Sequence, residues 1–229
     1  MYFQHSKEIW AGYPELVAGV VLAQGITADP AVGPRSDRFV AAARERLASS
    51  SESEFPEIRA WRRAFSRMGL RPTQYRCAAE SLLRRLRREG ELPRIHPLID
   101  LCNAVSLAFA IPVAVFDVAR LRDGLEVRRA SGEESYETFS GQVEHPDPGE
   151  VIFADVAGRA HARRWTNRQS GHSAVREGTT SVLIVAEAMH DSAGDDVPEL
   201  TATIARELAG VWPVTPRTAL LSQSSSRFE

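Results

Sequence analysis

Residues Leu92 to Asp117, LPRIHPLIDLCNAVSLAFAIPVAVFD, constrain the fold of this chain more than any other stretch. A short loop bounded by prolines leads into a helix predicted over Pro97 to Ala110. Ile111-Pro112 then leads into a strand over Val113 to Asp117. Leu98, Ile99, Leu101, Cys102, Ala104, Val105, Leu107, Ala108 and Phe109 cover most sides of the helix, and a helix apolar nearly all round is a buried one. One polar stripe interrupts it: His96, Asp100 and Asn103 stand at i, i+4 and i+7, with Ser106 three further on. Buried polar groups cost free energy unless paired, so the stripe has partners, in the protein or in a ligand. For Asp100 the protein offers two kinds, a neighbouring backbone N–H or a buried arginine such as Arg76 or Arg94.

Around this element the chain reads as helices first and strands second. A strand is predicted over Leu16 to Ala23. Helices are predicted over Arg35 to Ala48, Pro56 to Met68 and Tyr75 to Glu89, the last two closed by Gly69 and Gly90. After the organising helix come strands at Val113 to Asp117, Leu125 to Ala130 and Tyr136 to Phe139. Glu150 to Ala154 pairs with the residues around Ala160 across a turn at Asp155 to Gly158. Ser181 to Ala188, SVLIVAEA, is a central strand, and Val197 to Val211 is a terminal helix. The expected fold class is α+β, a mixed central sheet with packed helices. The expected organisation is one domain over 1–212 and a mobile tail over 213–229, rich in Ser, Thr and Arg.

Several function classes drop out. The chain has 229 residues, 43% of them hydrophobic, enough for a real core. No stretch reaches the roughly 18 apolar residues of a membrane helix, and the N-terminus, MYFQHSKEIW, has no signal-peptide pattern. Two cysteines, Cys77 and Cys102, both in predicted helices, make no disulfide framework. A cytoplasmic protein is expected. The six histidines are scattered, and there is no CxxC, HExxH, GxSxG or Walker loop. No metal and no cofactor are therefore expected. Arg59 to Arg94 holds eleven arginines against Glu80, Glu89 and Glu91, and Arg159 to Arg176 holds five with no acid. These segments suit an anionic polymer, with Arg76, Arg84, Arg85 and Arg88 as candidate contacts. Lys7 is the only lysine, so a compositional habit accounts for the arginines equally well.

A second stretch, RRWTNRQSGH at Arg163 to His172, follows a strand and is dense in donors around Trp165. Arginines beside an aromatic in a loop are what a nucleotide or RNA-end site uses, because stacking and phosphate pairing act together.

Taken in order, Met68-Gly69 with Pro72, Tyr75-Arg76, ESLLRR at Glu80 to Arg85, the organising stretch, Gly132-Glu133, Gly149-Glu150-Val151 with Ala154-Asp155, and RRWTNRQS resemble the B3/B4 domain. That domain is the editing module of the bacterial phenylalanyl-tRNA synthetase β subunit. The chain is most similar to its free-standing single-module relatives, and the likeness runs from about Ala60 to Met189. The resemblance implies a trans-acting deacylase, in which water attacks the ester between a wrong amino acid and the terminal ribose of a tRNA. An aminoacyl ester is reactive enough to need positioning and polarisation rather than a protein nucleophile. The resemblance makes Asn103 a catalytic candidate, joined by His96 as a histidine that would compensate for one this chain lacks. It makes Asp100, Arg164, Trp165, Asn167, Arg168 and Gln169 the substrate contacts, and the aminoacylated tRNA end the partner. Two departures stand out. Ala114 occupies the place of a pocket histidine, and RRWTNRQS carries no acid to match the glutamate that recognises a tyrosine hydroxyl. The amino acid is thus open between tyrosine and smaller or aliphatic ones. A non-catalytic binding module, or a hydrolase of another aminoacyl ester, are the alternatives.

Overall fold

The computed structural model describes residues 1–229. Its strands are β1 (Tyr2–His5), β2 (Val17–Gln24), β3 (Val113–Asp117), β4 (Gly124–Arg129), β5 (Tyr136–Glu137), β6 (Val143–Glu144), β7 (Val151–Ala154), β8 (Ala160–Arg163), β9 (Arg168–Gln169), β10 (Ser181–Ala188), β11 (Arg217–Leu221) and β12 (Arg227–Phe228). Its helices are α1 (Lys7–Gly12), α2 (Gly33–Ser49), α3 (Pro56–Arg67), α4 (Ala78–Glu89), α5 (Pro97–Phe109) and α6 (Ala193–Val211). The strands form two main sheets. One is antiparallel, in the order β11-β2-β10-β3. The other runs β12-β1-β4-β7-β8-β9 and is mixed, because β1 pairs with β4 in parallel. β5 and β6 form a separate hairpin. This is the expected α+β class.

β10 shows why the layers stack as they do. Its side chains alternate, and both faces are apolar. Val182, Ile184 and Ala186, with Val21 and Ala23 of β2, meet Leu98, Leu101, Cys102 and Val105 of α5 and Val197, Leu200, Ile204 and Leu208 of α6. Leu183 and Val185, with Ala18 and Val20, face the other way. They meet Phe3, Leu125, Val127 and Phe153 of the second sheet and Ile58, Trp61, Phe65 and Leu83 of α3 and α4. The four-stranded sheet is therefore the middle layer, and everything about the site depends on which of its faces a residue occupies. α6 lies so close to β2 that a Cβ at Gly19 would sit 2.0 Å from Thr201 Oγ1.

β3 and β10 have the expected limits, and α5 differs from expectation by one residue. It ends because Ala110 turns into the left-handed region at φ 55° before Ile111-Pro112. α4 starts at Ala78 rather than Tyr75, where Cys77 caps it by accepting from Glu80 N. α6 starts at Ala193, ahead of the expected Val197, and accommodates Pro198. The largest difference is at the end of the chain. Residues expected to be a mobile tail form β11, paired with β2 (Ala219 opposite Val20), and β12, paired with β1 (Phe228 opposite Phe3). Leu221 and Phe228 are buried. Two apolar anchors spaced among polar residues are too sparse for periodicity to register, so the segment reads as a tail in one dimension.

Two buried carboxylates hold the turns of the second half. Asp155 accepts from the N–H groups of Arg122, Ala157 and Arg159 and sits 3.2 Å from His161 Nε2. Glu134 accepts from the N–H groups of Ser131 and Gly132 and pairs with Arg128. Burial alone would raise both pKa values. The His161 and backbone contacts at Asp155, and the Arg128 and backbone contacts at Glu134, outweigh it and hold each at about 2. Both folded values lie below the unfolded ones. The stabilisation is therefore complete above about pH 4 to 5 and is lost as pH falls toward 2, on the order of 2 kcal/mol apiece. Urea unfolding at stepped pH is expected to show this decline. Asp155→Asn and Glu134→Gln should each lower stability at neutral pH and flatten the acid slope.

Candidate functional site

The chain reverses just after β8 through two residues with positive φ that are not glycine, Arg164 (48°) and Trp165 (58°). Such conformations cost on the order of 1 kcal/mol or more each, and the surroundings offset that. Arg163 donates to both oxygens of Glu150 at 2.9 and 2.8 Å and to Glu144 at 2.8 Å. Arg164 N donates to Glu150 Oε1 and Trp165 N to the carbonyl of Val151. The Trp165 indole is fully buried. It lies edge-to-face with Trp61 at 5.2 Å and with Tyr13 at 4.8 Å.

Under this turn lies a cavity of about 60 Å³. Val185 and Glu187 of β10 form its floor, Pro112, Val113 and Ala114 one wall, Phe153 and Ala162 another, and Trp165 to Gln169 the roof. Ala78, at the start of α4, closes one end and donates its N–H to the Thr166 carbonyl at 2.8 Å. The polar groups have a common sense. Asn167 Nδ2 donates to the Arg76 carbonyl and Gln169 Nε2 to the Val115 carbonyl, each at 2.7 Å. A carbonyl can only accept, so both amides are fixed with Oδ1 and Oε1 left over as acceptors. Glu187 Oε1 accepts from Trp165 Nε1 at 2.9 Å and lies 2.6 Å from His5 Nε2. Its Oε2 has no partner in the protein. The cavity thus offers three acceptor oxygens in an apolar frame. The lining also carries the hydroxyl of Thr166, which has no partner, and Arg168, whose guanidinium is paired with Glu144.

The residues singled out in sequence divide between two places. Trp165, Asn167, Arg168 and Gln169 line the cavity, and so does Ala114, where the resemblance expects a histidine. Arg164 lies over the Tyr75 ring at 4.7 Å in a neighbouring hollow, and the Arg168 guanidinium is paired with Glu144 at 2.9 Å. His96, Asp100 and Asn103 are not at the cavity. They sit on α5 and at its start, on the opposite side of the middle sheet, in a cleft against α2. Within the stripe, His96 Nδ1 caps α5 through Leu98 N, Asp100 Oδ1 accepts from Ile95 N at 2.9 Å, and Ser106 donates to the Ile111 carbonyl. Asp100 therefore takes the backbone alternative.

Arg76, just ahead of α4, and the arginines of α4 are less free than the sequence suggests. Arg76 lies 3.4 Å from buried Glu80, Arg84 3.9 Å from buried Glu52, and Arg85 2.8 Å from Glu89; Arg88 has no acidic partner. The cysteines are not nucleophiles, since burial pushes both thiols up to about 12. No group of three or more His, Cys, Asp or Glu side chains converges as a metal site. No helix is long and apolar enough to cross a membrane.

Sequence reasoning missed Glu187 and Thr166. Glu187 had a legible signal, as the one charge in SVLIVAEA. A lone acid in an apolar strand must have a partner or a ligand.

Comparison with known proteins bears on this arrangement. Residues 60–196, more than half of the chain, match the sequence profile of the B3/4 domain. Among similar proteins is the phenylalanine–tRNA ligase beta subunit of Nocardia farcinica, 36% identical over 105 residues, covering 46% of this chain and 12% of that one. The same subunit of Shouchella clausii is 32% identical over 149 residues, covering 65% of this chain and 16% of its own length. The chain thus spans less than a fifth of these relatives. In structure it resembles an N-terminal fragment of the phenylalanyl-tRNA synthetase beta subunit from Pyrococcus horikoshii, with a TM-score of 0.51 and 10% identity. That likeness covers 94% of this chain and 50% of the fragment, and at such identity it bears on the fold alone.

Proposed function

Because the chain belongs to the B3/4 domain family, we propose that it removes a wrong amino acid from tRNA in trans, hydrolysing the aminoacyl ester in the cavity beneath the Arg164–Trp165 turn. The observation that carries this reading is the set of three side-chain acceptor oxygens at that cavity, on Glu187, Asn167 and Gln169. An aminoacyl group brings an ammonium with three N–H donors, and Glu187 Oε2, Asn167 Oδ1 and Gln169 Oε1 are the matching acceptors. Held by its ammonium, the ester carbonyl faces attack by water. The acyl carbon–oxygen bond breaks, and the ribose hydroxyl leaves with a proton. Thr166 Oγ1 is the hydroxyl available to donate to the carbonyl oxygen or to hold the water. The apolar walls and the small volume select for a short side chain. Arg88, exposed and unpaired in the last turn of α4, is the arginine best placed to meet the tRNA backbone.

The test is a deacylation screen over correct and mischarged aminoacyl-tRNAs, repeated with N-acetylated esters. Rapid loss of one mischarged class, with its N-acetyl form spared, is the expected result. Equal loss of both forms would remove the ammonium from recognition. Ala114→Leu is expected to fill the cavity and lower the rate by about tenfold or more, with the circular dichroism spectrum unchanged. Ala114 also favours a second reading, a module that binds aminoacyl-tRNA without turnover. Retention of ligand with no ester loss would identify it.

A further inference from the structure

The cleft between α2 and the start of α5 is larger than the cavity and differs from it in character. Two hollows of about 240 Å³ each meet there and share Val32, Arg94 and Asp100. Residues that line it carry polar atoms with no partner. His96 is 6% exposed, and its Nδ1 accepts from Leu98 N, so its hydrogen is on Nε2. That buried Nε2–H has nothing to donate to. Ser36 Oγ, on α2, is likewise buried and unpaired. The Arg94 guanidinium lies across the first residue of α2, 3.7 Å from where a Cβ on Gly33 would be, with no carboxylate in reach. α2 has no side-chain cap, so its positive end is open beside Arg94. Opposite, Asp100 keeps Oδ1 on Ile95 N and leaves Oδ2 free.

Donors for an anion and a free carboxylate oxygen for a cation are thus held in one cleft. We infer that this cleft is a second binding site, one that takes a small zwitterion, a free α-amino acid. Its carboxylate meets Arg94, His96 Nε2–H and the start of α2, and its ammonium meets Asp100. A phosphate chain, with several negative charges, is a poorer fit than a single carboxylate, because Asp37, Glu91 and Asp100 outnumber Arg44 and Arg94 on the same walls. The inference does not rest on ester hydrolysis, since the site lies on the other side of the middle sheet from Glu187.

The experiment is calorimetric titration of the full chain with the standard amino acids one at a time. For any binder, its N-acetyl and its carboxamide derivatives follow. Binding of at least one amino acid is expected, with each derivative weaker by about tenfold or more. Arg94→Ala and Asp100→Asn should each weaken binding to a similar degree, and so should His96→Asn, which preserves the helix cap. Glu187→Gln should leave the affinity in place, and Arg94→Ala should leave ester hydrolysis in place. No heat from any amino acid up to about 10 mM, with the protein folded, overturns the inference. So does a simple carboxylate binding as well as the amino acid, which would make the cleft an anion site. Binding insensitive to both Arg94→Ala and Asp100→Asn overturns it too.

Discussion

Glu187→Gln is expected to lower the rate of ester hydrolysis by about 10²-fold or more while leaving the protein folded. The substitution keeps the shape of the side chain and one acceptor oxygen, which stays with the Trp165 indole N–H. What changes is the other atom. The free Oε2 becomes an amide NH₂, so a donor replaces an acceptor and meets the substrate ammonium with the wrong polarity. A charge-assisted hydrogen bond is lost and a repulsive contact takes its place, and the effects add. Single-turnover hydrolysis read beside thermal unfolding separates this from misfolding. An unaltered rate would take the ammonium away from Glu187, whereas a slow rate with an unchanged melting temperature supports the assignment.

Arg163→Ala is expected to destabilise the protein by about 3–5 kcal/mol, the cost of breaking a buried ion pair from one side. Arg163 is 5% exposed, and it holds Glu150 through two hydrogen bonds. Burial would raise the Glu150 carboxyl pKa, and the Arg163 hydrogen bonds reverse that and lower it. Without Arg163 the buried carboxylate has only the Arg164 N–H, and the left-handed turn loses its main anchor. The deficit relative to wild type should narrow on acidification, because a protonated Glu150 carries no unpaired charge. The double variant Arg163→Met with Glu150→Leu should recover much of the loss. Urea unfolding of the single and double variants checks both statements. A single variant within about 1 kcal/mol of wild type would show that the turn is held by Trp165 packing instead.

The middle of the molecule was legible because its periodicity is strong. α5, β3 and β10 combine dense apolar runs with clear breakers, Pro97, Ile111-Pro112 and the turn at 176–179 that contains Gly178. β1, α1 and the closing strands were not, because each is short and depends on partners more than a hundred residues away, as Phe3 does on Phe228. The candidate site was half legible. RRWTNRQS forms the turn over the cavity, yet its amide donors serve the carbonyls of Arg76 and Val115. Only the tertiary fold brings those carbonyls near, so the cavity presents acceptors where composition promised donors. The α5 stripe lies apart from that cavity, which the sequence could not show for a related reason. Helical spacing places His96, Asp100 and Asn103 on one side of α5 but cannot say which side of a sheet that is. The arginine-rich segment looked more cationic than it is, because Glu52 and Glu80 are buried against it.

Trp165 roofs the cavity with its indole N–H on Glu187, and its ring meets Trp61 edge-on at 5.2 Å. The molecule therefore carries its own optical reporter. A cation arriving at the free oxygen of Glu187 changes the electric field along that indole, and emission shifts in wavelength and intensity as the cavity fills. Occupancy becomes readable in real time without a label. Trp165→Phe would remove the indole bonded to the Glu187 carboxylate and leave Trp61, whose N–H donates to the Glu187 carbonyl at 3.2 Å, while Trp212, which faces the other side of the sheet beside α6, stays as an internal standard.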